Sequence, residues 1–147
     1  MCDALQGFRV TTGGMEPTRL ATAHLVSGAA RYEQHIRVGH HELVADEPTA
    51  LGGADAGTSP YGLLLASLAA CTAITLRMYA ERKGWELGTM RVDLEMVRDG
   101  DVERIARTLE LAPALGADQR ARLVEIADKT PVTKTLRRGV EITTTLR

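Results

Sequence analysis

One segment with clear helix-start and helix-stop signals constrains the fold of this chain most. Ser59 offers a side-chain oxygen to the free amides of a first helical turn. Pro60 suits the first helical position, because the N–H that proline lacks has no helical partner there. Gly84 is a favourable stop residue. These signals predict one helix over Pro60–Lys83, roughly 35 Å long at about 1.5 Å per residue.

The predicted helix is apolar or small on nearly every face of its first four turns. The residues concerned are Leu63, Leu64, Leu65, Ala66, Leu68, Ala69, Ala70, Cys71, Ala73, Ile74 and Leu76. Such a helix is buried on all sides. A chain of 147 residues, one domain by length, has few other elements to surround it. We therefore expect a homodimer in which a second copy supplies part of the cover.

Strand-like alternation flanks the helix on both sides. We predict strands over residues 20–26, 31–38, 42–45, 90–97, 105–111 and 140–146, and a second helix over 118–129. Gly28, Gly39 and the Asp99-Gly100 pair mark the hairpin turns. The order βββαββαβ predicts an α+β fold with antiparallel sheets. We expect a single domain over 1–147, in which residues 1–19 form a partly ordered lead-in.

Charge and cysteine content exclude several classes of partner and compartment. The chain has 18 Lys+Arg against 19 Asp+Glu, which is too balanced to attract nucleic acid or an anionic membrane. Its two cysteines cannot form the disulfide framework of a secreted domain, so we expect reduced thiols and a cytoplasmic location. Ser67, Thr72 and Thr75 interrupt the longest apolar stretch. We therefore expect neither a signal peptide nor a membrane span.

A glycine-rich loop precedes the long helix and approaches the spacing of a phosphate-binding loop. Gly52 is separated by four residues from Gly57, but Thr58 stands where a phosphate-pairing lysine is needed. The glycines are then explained by the turn that the chain makes into the helix. We expect no nucleotide and no other cofactor.

Histidine and acidic residues near this loop lack the spacing of metal ligands. His40 and His41 would point to opposite faces of a strand and cannot ligate the same metal ion. Asp46, Glu47 and Asp55 do not follow the spacing of a calcium loop. We expect no metal site, and we expect these carboxylates to be solvated.

Cys71 lies in the middle of the predicted helix and admits two interpretations. A free cysteine among apolar neighbours usually behaves as a small, inert hydrophobe. To act as a nucleophile, Cys71 would need a nearby cation or hydrogen-bond donors to hold the thiolate, and access for a substrate. Composition and periodicity supply neither of these, so the choice between the two interpretations stays open.

Four motifs, in order, resemble those of a known family. They are HELVADEP over 41–48, GTSPYGLLLASLAACTA over 57–73, MYAERKGW over 78–85 and KTPVTKTL over 129–136. Together they resemble the OsmC/Ohr superfamily, and in particular an OsmC-like subgroup that lacks the resolving cysteine. The resemblance runs from about residue 30 to the C-terminus.

This resemblance implies an intertwined homodimer with two long helices at its centre and sheets wrapped around them. It also implies a chemistry, since the peroxidase members reduce organic hydroperoxides with a thiolate on the central helix. A second cysteine then closes a disulfide, which a dithiol reductant reopens. Cys71 stands at the position of the attacking cysteine.

The sequence departs from the peroxidase pattern at the other catalytic positions. Thr130 stands where the resolving cysteine belongs, and Tyr61 stands where a glutamate that holds a catalytic arginine follows the helix-start proline. The chain has no arginine between positions 38 and 60, so Arg37 or Arg31 would have to replace that arginine. Tyr61, Thr130 and Arg37 are therefore candidate site-lining residues beside Cys71.

Two functions remain after this comparison. In the first, the protein is a stress-response protein that reduces organic hydroperoxides through Cys71 alone, with an external thiol as reductant. In the second, it is a dimer without catalytic activity that binds a small apolar ligand in a pocket at its interface. Cys2 is expected to be an ordinary surface thiol under either function.

Overall fold

The computed structural model describes residues 17–146, and most of the predicted lead-in, together with Cys2, lies outside this range. The strands are β1 Ala23–Val26, β2 Gln34–Val38, β3 His41–Ala45, β4 Arg91–Asp99 and β5 Val102–Glu110. The helices are α1 Pro60–Lys83, α2 Ala117–Ala127 and α3 Pro131–Arg138, and a 3₁₀ turn covers Thr49–Leu51. Antiparallel sheets with a long helix confirm the predicted α+β class.

The first sheet is a meander of β1, β2 and β3 in chain order. Its central strand shows the predicted alternation, because Ile36 and Val38 are half-buried whereas His35 and Arg37 are exposed. Gly39 makes the turn into β3 with φ of 61°, a left-handed conformation that glycine adopts without strain. The first strand begins at Ala23, three residues later than predicted.

Helix α1 has the predicted bounds at both ends. The Ser59 hydroxyl accepts a hydrogen bond from the Gly62 amide at 3.2 Å, and Pro60 occupies the first turn. Gly84 ends the helix with φ of 65° and donates its N–H back to the Glu81 carbonyl. Both ends depend on local capping chemistry, which is why the sequence alone located them.

Only one side of α1 is buried by the chain itself. The buried residues Leu68, Thr72, Leu76 and Ala80 are spaced by four and form a single stripe. On the other side, Ile74 is 59% exposed. The other faces of α1 are left exposed in one chain, because too few elements pack around the helix, as expected if a second copy supplies part of the cover. The second copy that would cover the remaining faces stays a prediction.

The second sheet is the predicted hairpin of β4 and β5, which turns at Gly100 and packs on α1. The main core lies where α1, the loops around Leu87 and Leu115, and α2 meet, and Leu76 and Leu123 are fully buried there. By length and composition α1 could span a membrane, but here it packs against β4, α2 and α3. It is the central helix of a soluble fold.

The C-terminal region differs from the predicted pattern. The second helix ends at Ala127, and a separate helix, α3, follows after a short break. Thr130 and Pro131 start α3 as a cap and a first-turn proline, a local signal that the predicted helix over 118–129 had overlooked. Residues 140–146 were predicted as a strand but have no regular structure. A strand needs an adjacent partner, and the described part of the chain pairs none with them.

Candidate functional site

Cys71 lies half-buried in the middle of α1, where α3 begins. Its Sγ accepts a hydrogen bond from the backbone N–H of Val132, with a nitrogen-to-sulfur distance of 3.5 Å. The first amides of a helix have no partner within the helix, and they carry the positive end of its dipole. The thiol therefore faces the first free amide of α3.

At the start of α3, this amide has no hydrogen-bond partner within the helix. Thr130 is the residue before the helix, and its carbonyl accepts the first helical hydrogen bond from Lys134 at 3.0 Å. Pro131 occupies the first helical position and has no N–H to offer. Val132 thus carries the first amide of the helix, and that amide donates to the Cys71 sulfur.

A guanidinium lies on the other side of the same turn. Arg107 projects from β5, and its side chain is only 13% exposed. Its Nη1 donates to the hydroxyls of Thr72 at 3.0 Å and Thr133 at 3.1 Å. Its Nη2 donates to Asp128 Oδ1, also at 3.1 Å. The charge is therefore paired with a carboxylate and held by three hydrogen bonds, as a largely buried charge requires.

The threonine hydroxyls around Arg107 form a continuous network. Thr72 donates to the Leu68 carbonyl at 2.7 Å, which leaves its lone pairs to accept from Arg107. Thr130 and Thr133 share a hydrogen bond of 2.6 Å, and Thr133 also donates to the Ala127 carbonyl at 3.3 Å. Across the described residues, every buried side-chain nitrogen and oxygen has a partner. The network fixes α3 against α1.

An open cleft of about 690 Å³ adjoins this network. Arg107 and Thr133 belong to its wall, whereas Cys71 does not. The rest of the wall combines apolar and charged side chains, and comprises Leu68, Glu103, Ile105, Thr108, Leu109, Val124, Ala127, Asp128, Leu136 and Arg137. The cleft therefore has the size and the lining of a small-molecule site.

Of the three candidate site-lining residues, the structure brings one next to the thiol site. Thr130 is fully buried at the start of α3, beside the Val132 amide. Arg37 lies exposed on β2, opposite Glu42 on β3, and does not line the cleft. Arg31, the other arginine considered, lies against Gly52 in the glycine-rich loop.

Tyr61 belongs to a separate cluster at the start of α1. Its hydroxyl donates to Glu103 at 3.2 Å and accepts from Arg98 at 3.0 Å. The Arg98 guanidinium, followed by the Tyr61 hydroxyl, lowers the pKa of the Glu103 carboxyl from its ordinary value. Tyr61 precedes Cys71 by ten positions. That spacing corresponds to about 15 Å along a helix, so one chain does not bring the two together.

Arg107 was missed by the sequence analysis, which sought the cation only before α1. One signal was present, since Arg107 stands between Ile105 and Leu109 in the inward-facing row of β5. A charged residue in such a row is rarely buried unless it is paired. Within residues 17–146, no group of three or more His, Cys, Asp or Glu side chains is arranged to hold a metal ion.

The fold and the site together define a soluble α+β protein whose central helix carries a thiol held by a helix N-terminus. The family model for OsmC-like proteins matches residues 52–145. The chain belongs to the OsmC-like family, as its motifs indicated. A comparison with curated protein sequences gave no match.

Several solved structures have the same fold as this chain. An OsmC-like protein from Mycoplasma pneumoniae is 18% identical, with a TM-score of 0.66 over 84% of this chain and 89% of that one. An organic hydroperoxide resistance protein OsmC from Legionella pneumophila is 21% identical, with a TM-score of 0.61 over 83% and 92%. The organic hydroperoxide resistance protein OhrB of Bacillus subtilis is 24% identical, with a TM-score of 0.57 over 81% and 91%. At these identities the likeness shows the fold alone.

Proposed function

We propose that the protein is a stress-response protein that reduces organic hydroperoxides with Cys71 as its single reactive cysteine. The observation that carries this proposal is the hydrogen bond from the Val132 amide to the Cys71 sulfur. Family membership supports it, as do the names of the relatives from Legionella pneumophila and Bacillus subtilis. The half-burial of Cys71 leaves part of the side chain open to a substrate.

The first step is an attack of the Cys71 thiolate on the outer oxygen of the hydroperoxide. The sulfur–oxygen bond forms as the oxygen–oxygen bond breaks, and the alkoxide leaves as the alcohol after it takes up a proton. The sulfur is oxidised to a sulfenic acid, and the peroxide is reduced by two electrons. The amide donor at α3 supports this step, because the thiolate and not the thiol is the nucleophile.

The second step needs a reductant from outside the chain. Thr130 stands at the position of the family's resolving cysteine, and a hydroxyl cannot form a disulfide. We propose that an external thiol condenses with the sulfenic acid, with release of water, to a mixed disulfide. A second thiol then releases Cys71 as the free thiol and leaves as part of the external disulfide.

A single-turnover experiment tests this function. On a Cys2→Ser background, we expect one equivalent of cumene hydroperoxide to add one oxygen atom to Cys71, detected by mass spectrometry. A small thiol should then return the mass to that of the reduced protein. The matched control carries Cys71→Ser as well and should gain no oxygen. A Cys71 that stays reduced beside an unreacted peroxide would contradict the proposal.

The cleft beside Arg107 favours a second candidate function, which is binding of a small apolar ligand without catalysis. Its wall includes an apolar part formed by residues such as Leu68, Leu109 and Leu136, and its volume of about 690 Å³ suits a molecule of metabolite size. Under this function, the dye 1-anilinonaphthalene-8-sulfonate, which has apolar aromatic rings and a charged sulfonate, should bind equally to the native protein and to Cys71→Ser. A Leu136→Glu variant, which changes the wall, should lose binding. Binding that depends on Cys71 would argue against this second function.

We further propose that the active form is a homodimer in the cytoplasm. The outward face of α1 supports the dimer, because the apolar side chains of Ile74 and Met78 are 59% and 47% exposed there. The reduced state that Cys71 needs supports a cytoplasmic location. The charge balance of the chain supports neither a nucleic acid nor a membrane partner.

A further inference from the structure

Arg107 occupies a position that ordinarily holds an apolar residue. It lies between Ile105 and Leu109 on the inward side of β5, and all three are half-buried. Removing a guanidinium from water is costly unless hydrogen bonds and an opposite charge replace the lost hydration. Here Thr72, Thr133 and Asp128 provide those replacements. The arginine thereby joins α1, the start of α3 and the residue that ends α2.

The contacts of Arg107 bracket the bond between the thiol and its donor. Its Nη1 binds Thr72, which follows Cys71, and Thr133, which follows Val132. One nitrogen thus ties together the two residues next to the two partners of the N–H···S hydrogen bond. A shift of α3 along α1 would lengthen the contact between Arg107 and Thr133 together with the contact between the Val132 amide and the Cys71 sulfur.

We propose that Arg107 is a positioning residue, which holds the first turn of α3 against α1 so that the Val132 amide stays on the Cys71 sulfur. This inference rests on the proposed role of Cys71 as the reactive thiol. It assigns to a residue of β5 the task of keeping the hydrogen bond between the Val132 amide and that thiol in place. Arg107 acts through Thr72 and Thr133, and it does not itself contact the sulfur.

The planar guanidinium is required for this task, and a lysine is not equivalent. Nη1 donates to the hydroxyls of Thr72 and Thr133, and Nη2 donates to Asp128. Two nitrogens in one rigid plane therefore reach three partners. A single ammonium on a flexible stem keeps the charge but cannot reproduce this fork. The Arg107→Lys variant therefore separates the effect of the hydrogen-bond geometry from the effect of the positive charge.

The test compares Cys71 alkylation by iodoacetamide in Arg107→Lys, Thr133→Val and the native chain, all on a Cys2→Ser background. Thr133→Val removes one hydroxyl without changing any charge and nearly preserves the shape. Arg104→Lys is the matched control, because Arg104 lies on the same strand and pairs with Asp99 at an exposed site. Rates are measured at about pH 7, and at about pH 9.5, where an ordinary thiol is largely ionised.

We expect both test variants to lose about tenfold in rate near pH 7 and to approach the native rate at the higher pH, because the thiolate is no longer held by its donor. The control should match the native protein at both values. Native rates in both test variants would overturn the proposal. An equal loss at both pH values would overturn it too, since it would indicate a general change in access.

The outcome is independent of peroxidase activity. If cumene hydroperoxide fails to oxidise the native protein while the alkylation difference persists, the proposed function fails and the positioning role of Arg107 stands. If oxidation occurs and the difference is absent, the function stands and the positioning role fails. Should Arg107→Lys not fold, as judged by its thermal transition, Thr133→Val still decides the question.

Discussion

Asp46 shows how a single residue can stabilise a long loop. It is only 2% exposed, and its carboxylate accepts N–H bonds from Glu47 at 2.8 Å, Ala54 at 3.0 Å and Ala56 at 3.1 Å. The amide of Ala56 is the largest cause that lowers the pKa of Asp46 from its ordinary value of 3.8, while burial opposes it. The expectation that this carboxylate is solvated is therefore wrong, because the loop folds back on it.

We predict that Asp46→Asn lowers the melting temperature near neutral pH. In the native protein, three backbone amides donate to the carboxylate oxygens of Asp46. Asparagine replaces one of these oxygens with an NH₂ group, which cannot accept a hydrogen bond from an amide. The pKa of Asp46 is depressed in the folded state, so its contribution to stability is present above the ordinary value and is lost as the pH falls through the lowered value. Thermal unfolding of both proteins as a function of pH should show the gap narrowing below about pH 4.

The control for this prediction is Asp101→Asn, at an exposed position in the β4–β5 turn. That variant should unfold like the native protein across the same pH range. A gap between Asp46→Asn and the native protein that stays constant down to acidic pH would contradict the assigned role of the carboxylate.

At the residue scale, the motifs identified Cys71 and Thr130 as candidates, and the structure places both at the start of α3. Arg107 could not be located in this way. Its role depends on Thr72, Thr133 and Asp128, which lie 21 to 35 positions away along the chain. Alternation along β5 reveals that Arg107 points inward, but it does not reveal what it meets there.

At the scale of elements, the residues at its two ends made α1 predictable. The residues that begin and end α3 were not considered, so α3 was not predicted. Ser59, Pro60 and Gly84 determine the ends of α1 through contacts within a few residues. Pro131 and Gly139 play the corresponding parts for α3, whereas the Thr130 side chain makes no capping hydrogen bond to that helix. The strand predicted over 140–146 failed for a different reason. Strands depend on a pairing partner, which no local pattern specifies.

We predict that Ser59→Ala destabilises the protein by about 1 kcal/mol, because the Gly62 amide loses its only side-chain acceptor at the start of α1. Chemical denaturation measures the change as a shift in midpoint at constant slope. The matched control is Ser67→Ala, an exposed position within the same helix. It should leave stability unchanged or raise it slightly, since alanine is the better helix former. Equal losses in the two variants would contradict the capping role.

At the scale of the whole molecule, apolar surface remains uncovered on both sides of the fold. Besides the outward face of α1, the segment after α3 exposes Val140, Ile142 and Leu146 by 66%, 85% and 96%. Where exposed apolar side chains such as these form a patch, the patch marks an interaction site. The family resemblance implies that a second copy of the chain covers it.

We predict that the native protein has twice the mass of one chain in light scattering, and that Ile74→Glu reduces it to the mass of one chain. A charge at the centre of the proposed interface would have to be desolvated without a partner, which costs several kcal/mol. Leu51→Glu is the matched control, because Leu51 is similarly exposed, at 66%, but lies in the loop before α1. A monomeric native protein, or a dimeric Ile74→Glu variant, would contradict this prediction.

The amino-acid sequence alone determined the α+β class, the bounds of α1, the β4–β5 hairpin and the position of Cys71. These features follow from caps, turns and alternation, which act over a few residues and are therefore visible in the chain. Only the tertiary structure decided what Cys71 faces. The Val132 amide and Arg107 reach the site from elements far apart in sequence, so packing, rather than any local pattern, creates the environment of the thiol.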